Sequence, residues 1–331
     1  MAKSQQIPGI DCDGPVEAGI TLVLNWRFEE MVKLRSRALD WSAPEGVHDM
    51  RVASRRLRGA LKDFMPYLPK RRVAGCQEQI GTIAKALGRV RDYDVEIMTL
   101  EQIATKARTE ISPGILRFVE FRQVVREEAR GKLLLPLNPD SLEKLRIKFN
   151  AALEGLSSQR RKEPKQKPAG TTLTYRQVAR AVITNRLEDL GRFSESLYHP
   201  LKVKPLHEMR ISAKHLRYAL ELFGHCWGPS LSSFAKQVAE LQSSLGKLHD
   251  CDVWIKSFGR AATHQGPALD SQNRATAVWL LDHFLKLRTK HVGKALAQWS
   301  DWEAEEVSAR LRQTILLESS GTSVPMQTRV C

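Results

Sequence analysis

The sequence predicts an all-α protein made of two related halves. Three observations predict it. Residues 47–58 (VHDMRVASRRLR) return as residues 206–217 (LHEMRISAKHLR) at a constant offset, 207 − 48 = 217 − 58 = 159. A repeat of that length means one structural unit used twice. Val47, Met50, Ser54, Leu57, Leu61 and Phe64 recur at helical spacing, and so do Leu206, Met209, Ala213, Leu216, Leu220 and Phe223. Each set marks the buried face of an amphipathic helix. No stretch of the chain alternates with the period of a strand.

One residue along from each apolar row, about 100° round the helix, lies a cationic row. It is His48, Arg51, Arg55, Arg58 and Lys62 in the first copy. In the second it is His207, Arg210, Lys214 and Arg217, ending at Glu221. At about 1.5 Å per residue, His48 to Arg58 spans roughly 15 Å, which suits an extended polyanion better than one phosphate. Solvated helix faces normally mix acids with bases at i,i+4, and like charges there cost a few tenths of a kcal/mol each. A nearly pure cationic row, built twice in register, points to an anion that relieves the repulsion. Arginine's planar fork gives two parallel hydrogen bonds to one phosphate and keeps its charge at any ordinary pH. Histidine adds a pH-sensitive contribution.

The remaining elements follow in order. Residues 1–15, with Pro8, Gly9, Gly14 and Pro15, read as a flexible arm. A helix runs from Val16 to about Leu39, and the turn at residues 42–46 leads into the basic helix, which stops near Pro66 or Pro69. A third helix fits residues 73–90. It leads into residues 87–95 (LGRVRDYDV), where a new helix continues to about Lys106. Pro113-Gly114 breaks the chain before a helix at 115–134, which carries Leu116, Val119, Val124, Leu133 and the bases Arg122, Arg126, Arg130 and Lys132. Ser141 is placed to N-cap the last helix of this half, 142–156. Residues 157–172 are basic, Pro-containing and nearly devoid of apolar side chains, so they read as a mobile linker.

The second half repeats the order. A helix covers about 175–197, Pro200 and Pro205 make the turn, and the second basic helix follows. Residues 245–253 (LGKLHDCDV) match 87–95 at an offset of 158. After a loop near Gly266-Pro267 comes a helix with Trp279, Leu281, Phe284, Leu285, Arg288 and Lys294. The tail from 317 to 331 reads as frayed. The organisation is thus an arm (1–15), a first helical repeat (16–156), a linker (157–172), a second repeat (173–316) and a tail.

Composition narrows the function. The 331 residues carry a formal net charge of +15, which favours polyanionic partners. Five cysteines are scattered without metal-site or disulfide-framework spacing, which reads as a reducing, cytoplasmic setting. No signal-peptide core and no run of about 18 apolar residues occurs. A phosphate-binding P-loop, the His-Glu-x-x-His zinc motif, the zinc-deaminase pattern and the Gly-x-Ser-x-Gly nucleophile turn are all missing. His48 and His207, with Asp92, Asp94, Asp250 and Asp252, raise a metal reading. The flanking arginines oppose it, and residues i and i+2 of a helix face opposite sides. The aspartates read instead as helix caps or as partners that hold Arg91 and its neighbours.

The doubled histidine–arginine motif and the doubled Leu-Gly-x-x-(Arg/His)-Asp-x-Asp-Val segment resemble the CHAD domain, the conserved-histidine α-helical family. The resemblance covers about residues 16–300. It implies two helical bundles related by a pseudo-twofold, with a basic groove or pore between them. It also implies binding of inorganic polyphosphate and association with polyphosphate granules and their proteins. The implied polyphosphate-binding set is His48, Arg51, Arg55, Arg56, Arg58, Lys62, Arg89, Arg91, Arg126, His207, Arg210, Lys214, His215, Arg217, Lys247, His249, Arg288 and Lys294. No enzyme activity, cofactor or metal is implied, because the triphosphate-tunnel domain that often accompanies the family is absent. Membranes are not expected partners, and nucleic acid is expected to bind weakly and non-specifically. Lys214 and His215 stand where the first half has Arg55 and Arg56, and His249 where it has Arg91. The second copy is therefore expected to bind more weakly or with more pH dependence. A nucleic-acid binder would place aromatic platforms among the bases, and a phosphohydrolase would use the aspartates with Mg²⁺.

Overall fold

The computed structural model describes residues 7–159, 173–263 and 271–317, and these are helical apart from their turns and one antiparallel bridge between Pro15 and Thr174. The first half contains α1 (Val16–Lys33), a short α2 (Arg35–Ala38), α3 (Glu45–Phe64), α4 (Lys70–Ala104), α5 (Ser112–Leu134) and α6 (Pro139–Gln159). The second contains α7 (Tyr175–Gly191), α8 (Val203–Phe223), α9 (Ser232–Thr263), α10 (Ser271–Ala304) and α11 (Val307–Leu316). The basic stretches are α3 and α8. No helix among the described residues is long and apolar enough to cross a membrane.

Both predicted apolar rows are buried in full, from Val47 to Phe64 on α3 and from Leu206 to Phe223 on α8. Within each half, consecutive long helices pack side by side: α1 on α3, α3 on α4 and α4 on α5, then α7 on α8, α8 on α9 and α9 on α10. Across the halves, α1 meets α7, α3 meets α8 and α5 meets α10. The halves therefore share one continuous core, which runs from Ile7 to Ile315, rather than burying a core each. Phe64 and its repeat counterpart Phe223 meet edge to face at 5.8 Å, with Tyr175 against both. A smaller cluster joins the far ends of α4 and α9 to α5 and α10, where the rings of Trp254, Phe258 and Phe284 stack.

Several local expectations change. Residues 7–15 are docked, not loose: Ile7 is buried, and Arg176 and Tyr175 donate backbone N–H groups to the carbonyls of Cys12 (2.7 Å) and Gly14 (3.1 Å). Cys12 is joined to Cys226 by a disulfide, contrary to the reading of five unpaired thiols; 214 positions separate them, so no local spacing could announce the pair. α4 is one 35-residue helix through residues 87–95, because Gly88 alone weakens a helix without breaking it. Asp92 and Asp94 consequently sit in mid-helix and cap nothing. α6 starts at Pro139, and it is Asn138, not Ser141, whose side-chain oxygen accepts from the Asp140 N–H at 2.9 Å. Gly46 belongs to the first turn of α3 rather than to the preceding turn. A Cβ there would lie 1.8 Å from the Arg37 carbonyl oxygen, so only glycine lets α3 start against the end of α2. Of the predicted linker at 157–172, residues 157–159 belong to α6 and the rest lie outside the described residues, as do residues 318–331 of the predicted tail at 317–331.

Candidate anion-binding groove

α3 and α8 are in contact, and at Gly59 a Cβ would stand 3.6 Å from the Tyr218 ring. Their cationic rows turn toward the same space. A cavity of about 410 Å³ is lined by Arg55, Arg58 and Lys62 of α3, by Lys214, His215 and Tyr218 of α8, and by Gln77 of α4. No carboxylate lines it. Gln77 carried no signal in the sequence, because a lone glutamine on a long helix reads as surface.

The electrostatics record how crowded these cations are. Burial, then the charges of Arg55, Arg210, Arg58 and Lys62, bring the Lys214 ammonium from its usual 10.5 down to about 8. Burial first, then Lys62, Lys214 and Arg186, pushes His215 to about 3, so this imidazole is neutral and offers a hydrogen bond without charge. Arg51 is likewise disfavoured as a cation by burial and then by Arg55. Beside the cavity, Arg51 Nη2 donates to Asp92 Oδ1 at 2.9 Å. Arg210 has Asp250 as its principal compensating charge. Arg91 extends the cluster toward Arg51 and His48, whose own pKa is lowered by burial and then by Arg91.

The other predicted site residues separate from this cluster. Arg56 is only 7% exposed and points into the interior between Glu30 and Glu221, each at 3.8 Å. It is an interior ion-pair residue and not part of the exposed row. Arg217 donates to Glu221 at 2.7 Å and to Gln242 at 3.3 Å. Arg126 faces Asp94 and Glu127, and Arg288 donates to Asp252 and to the Pro200 carbonyl, both at 2.6 Å. His207 and His249 face each other with Nδ1 atoms 3.2 Å apart. Burial, then Arg210 and His207, holds His249 down to about 4. Arg89 is exposed on α4. Lys247 and Lys294 form a second basic patch with His291 and Lys290 between α9 and α10. The four-residue spacing of Lys286, Lys290 and Lys294 could have flagged it.

The arrangement can hold a chain of negative charges against two helices at once.

Comparisons with known proteins agree with this architecture. The crystal structure of the CHAD domain from the plant Ricinus communis is similar with a TM-score of 0.71 at 20% identity, over 89% of this chain and 95% of that one. PptA from Streptomyces chartreusis is similar with a TM-score of 0.61 at 15% identity, over 87% of this chain and all of that one. A search of curated proteins by sequence gives no match. The profile of the CHAD domain matches residues 23–258, which takes in both basic helices and both Leu-Gly segments, and the chain therefore belongs to the CHAD domain family.

Proposed function

We propose that this protein binds inorganic polyphosphate, without hydrolysing it, along the groove between α3 and α8. One observation carries the reading. Arg55, Arg58 and Lys62 from one half and Lys214 from the other converge on a cavity that no carboxylate lines. Such a cluster is costly when empty, and an anion threaded between the helices offsets the cost. Membership of the CHAD family supports polyphosphate as that anion.

Two meetings of repeat counterparts support the two-helix geometry. Phe64 touches Phe223, its counterpart at the repeat offset, and Arg55 lies within electrostatic reach of its counterpart Lys214. A residue that meets its own counterpart lies near the axis relating the two copies. The groove runs across that axis, so Arg51 and Arg210 extend it symmetrically. His48, Arg91, Arg89 and the Lys247–Lys294 patch lengthen the track beyond the cavity.

The test is a competition titration of long-chain polyphosphate, triphosphate, and single- and double-stranded nucleic acid at several salt concentrations. Long chains are expected to bind far more tightly than triphosphate, because the second helix engages at high effective concentration. Their affinity is expected to fall steeply with salt as counterions are released. Equal affinity for triphosphate and long chains would replace the groove with a compact pocket. Phosphate release, measured with and without Mg²⁺, is expected to stay at background. In cells, a fluorescent fusion is expected at polyphosphate granules.

A further inference from the structure

We propose that in the reduced protein Cys12, His225 and Cys226 bind a divalent transition cation, zinc in the first instance, and that oxidation replaces the cation with the Cys12–Cys226 disulfide. This site is separate from the α3–α8 groove and stands independently of the polyphosphate reading.

The three ligating atoms lie within 4.8 Å of one another, although 214 positions separate Cys12 from Cys226 in the sequence. His225 and Cys226 sit in the 3-10 turn (Gly224–Cys226) that closes α8, and Cys12 sits in the strap before α1. Arg176, at the start of α7, braces both sides. Its backbone N–H donates to the Cys12 carbonyl at 2.7 Å. Its guanidinium grips Asp13 of the strap at 2.7 and 2.9 Å and also donates to the Cys226 carbonyl. These hydrogen bonds bring Cys12 to the turn without help from the sulfur–sulfur bond, so the thiols remain neighbours after reduction.

The spacing fits a tetrahedral ion. Zinc holds sulfur at about 2.3 Å and nitrogen at about 2.0 Å, which sets tetrahedral nitrogen and sulfur ligands about 3.5 Å apart. His225 Nε2 and Cys226 Sγ are 3.6 Å apart. Two thiolates and an imidazole select zinc or a similar borderline-soft cation over magnesium or calcium. Two thiolates balance the cation's charge, so the filled site presents no net charge to Arg176. His225 also borders a cavity of about 810 Å³, which leaves room for water at a fourth position.

The redox step balances with hydrogen peroxide as oxidant. The two coordinated thiolates lose two electrons, one sulfur–sulfur bond forms and the zinc ion leaves. Peroxide takes the two electrons and two protons from solvent and becomes two waters.

Metal-free reduced protein should be titrated with Zn²⁺ against a chromogenic chelator, and with Co²⁺ in parallel. One ion per chain is expected, with a sulfur-to-cobalt charge-transfer band. Cys12→Ser should abolish that band. His225→Ala should keep thiolate absorption but weaken zinc binding at least tenfold. Peroxide should release the zinc together with the loss of two titratable thiols. Polyphosphate affinity, followed in the same samples, reports separately on the groove. The proposal is overturned if reduced wild-type protein loses zinc to the chelator, or if Cys12→Ser binds zinc as well as wild type. In the latter case the ion sits elsewhere, with the His207–His249 pair the first place to look. Should Cys226→Ser, at a buried position, fail to fold, Cys12→Ser carries the test from the half-exposed strap.

Discussion

Lys214 offers a direct way to ask whether the groove receives an anion. Its ammonium titrates at about 8 in the folded protein, against 10.5 for an ordinary lysine. The causes are burial and then four neighbouring cations: Arg55, Arg210, Arg58 and Lys62. Polyphosphate laid between α3 and α8 reverses the second cause. If the bound anion restores the ordinary value, binding is linked to proton uptake across 2.5 pKa units. At about 1.36 kcal/mol per unit, that is about 3 kcal/mol, or a few hundred-fold in affinity, as an upper limit. Affinity should therefore hold steady below pH 7.5 and fall progressively from pH 8 to 9.5. At pH 9 the free protein has lost about 0.9 of this proton, and binding should recover nearly all of it. Calorimetry in two buffers of different ionisation enthalpy at pH 9 measures that uptake. Lys214→Arg, which cannot deprotonate in this range, should flatten the profile and abolish the uptake. The folded state follows the same linkage in the opposite sense. Between pH 8 and 10.5 the unfolded chain holds the proton that the native state has lost, so this lysine makes the unliganded protein more stable as pH rises. Polyphosphate binding at pH 9 without proton uptake would place the anion away from Lys214 and refute the groove.

Arg51→Ala and Arg55→Ala should each weaken polyphosphate binding by roughly 1.5–3 kcal/mol in a titration, with little change in melting temperature. Arg56→Ala, one position along, should do the reverse. It removes a buried guanidinium from between Glu30 and Glu221, which keep Arg27 and Arg217 as closer partners, so it should cost about 1.5–3 kcal/mol of stability by urea unfolding. Gly46→Ala should cost about 1–3 kcal/mol of stability, because its methyl group would overlap the Arg37 carbonyl. His249, held down to about 4, should gain its proton more readily beside a bound anion. Polyphosphate affinity should accordingly rise as pH falls below 6, and His249→Arg should flatten that limb of the profile.

Residues whose position follows from helical period were legible in the sequence. The apolar rows of α3 and α8 were buried to the last residue, and of the rows one step round the helix Arg55, Arg58, Lys62 and Lys214 line the cavity. Period fixes direction within a helix but says nothing about what stands opposite. Arg55 and Arg56 are adjacent in the chain, both arginine, both in the motif. One faces Lys214 across the cavity, and the other faces Glu30 of α1 and Glu221 of α8. Helical period turns them about 100° apart, but only the tertiary partners show that Arg56 is an interior ion-pair residue. The Cys12–Cys226 pair was hidden for the same reason, and so was the docking of residues 7–15, which rests on hydrogen bonds to α7 far along the chain. The segment 87–95 misled in a different way. It was read as a junction between two helices, but its one glycine, Gly88, costs a helix only about 1 kcal/mol, and α4 has packing on both flanks to absorb that.

The uninterrupted course of α4 explains the repeated Asp-x-Asp. In a continuous helix, residues two apart project about 200° from each other. Asp92 and Asp94 thus reach opposite neighbours. Asp92 holds Arg51 of α3, while Asp94 faces Arg126 of α5 at 3.7 Å. The second half repeats the division: Asp250 lies by Arg210 of α8, and Asp252 holds Arg288 of α10 at 2.6 Å. In each half, one carboxylate steadies a groove arginine and the other ties the outer helix to the centre. This assigns the four arginines different work, although composition and spacing treat them alike. It also accounts for carboxylates beside a groove suited to anions. Asp92 and Asp250 hold the inner arginines from behind, on α4 and α9, and leave the cavity wall itself free of negative charge.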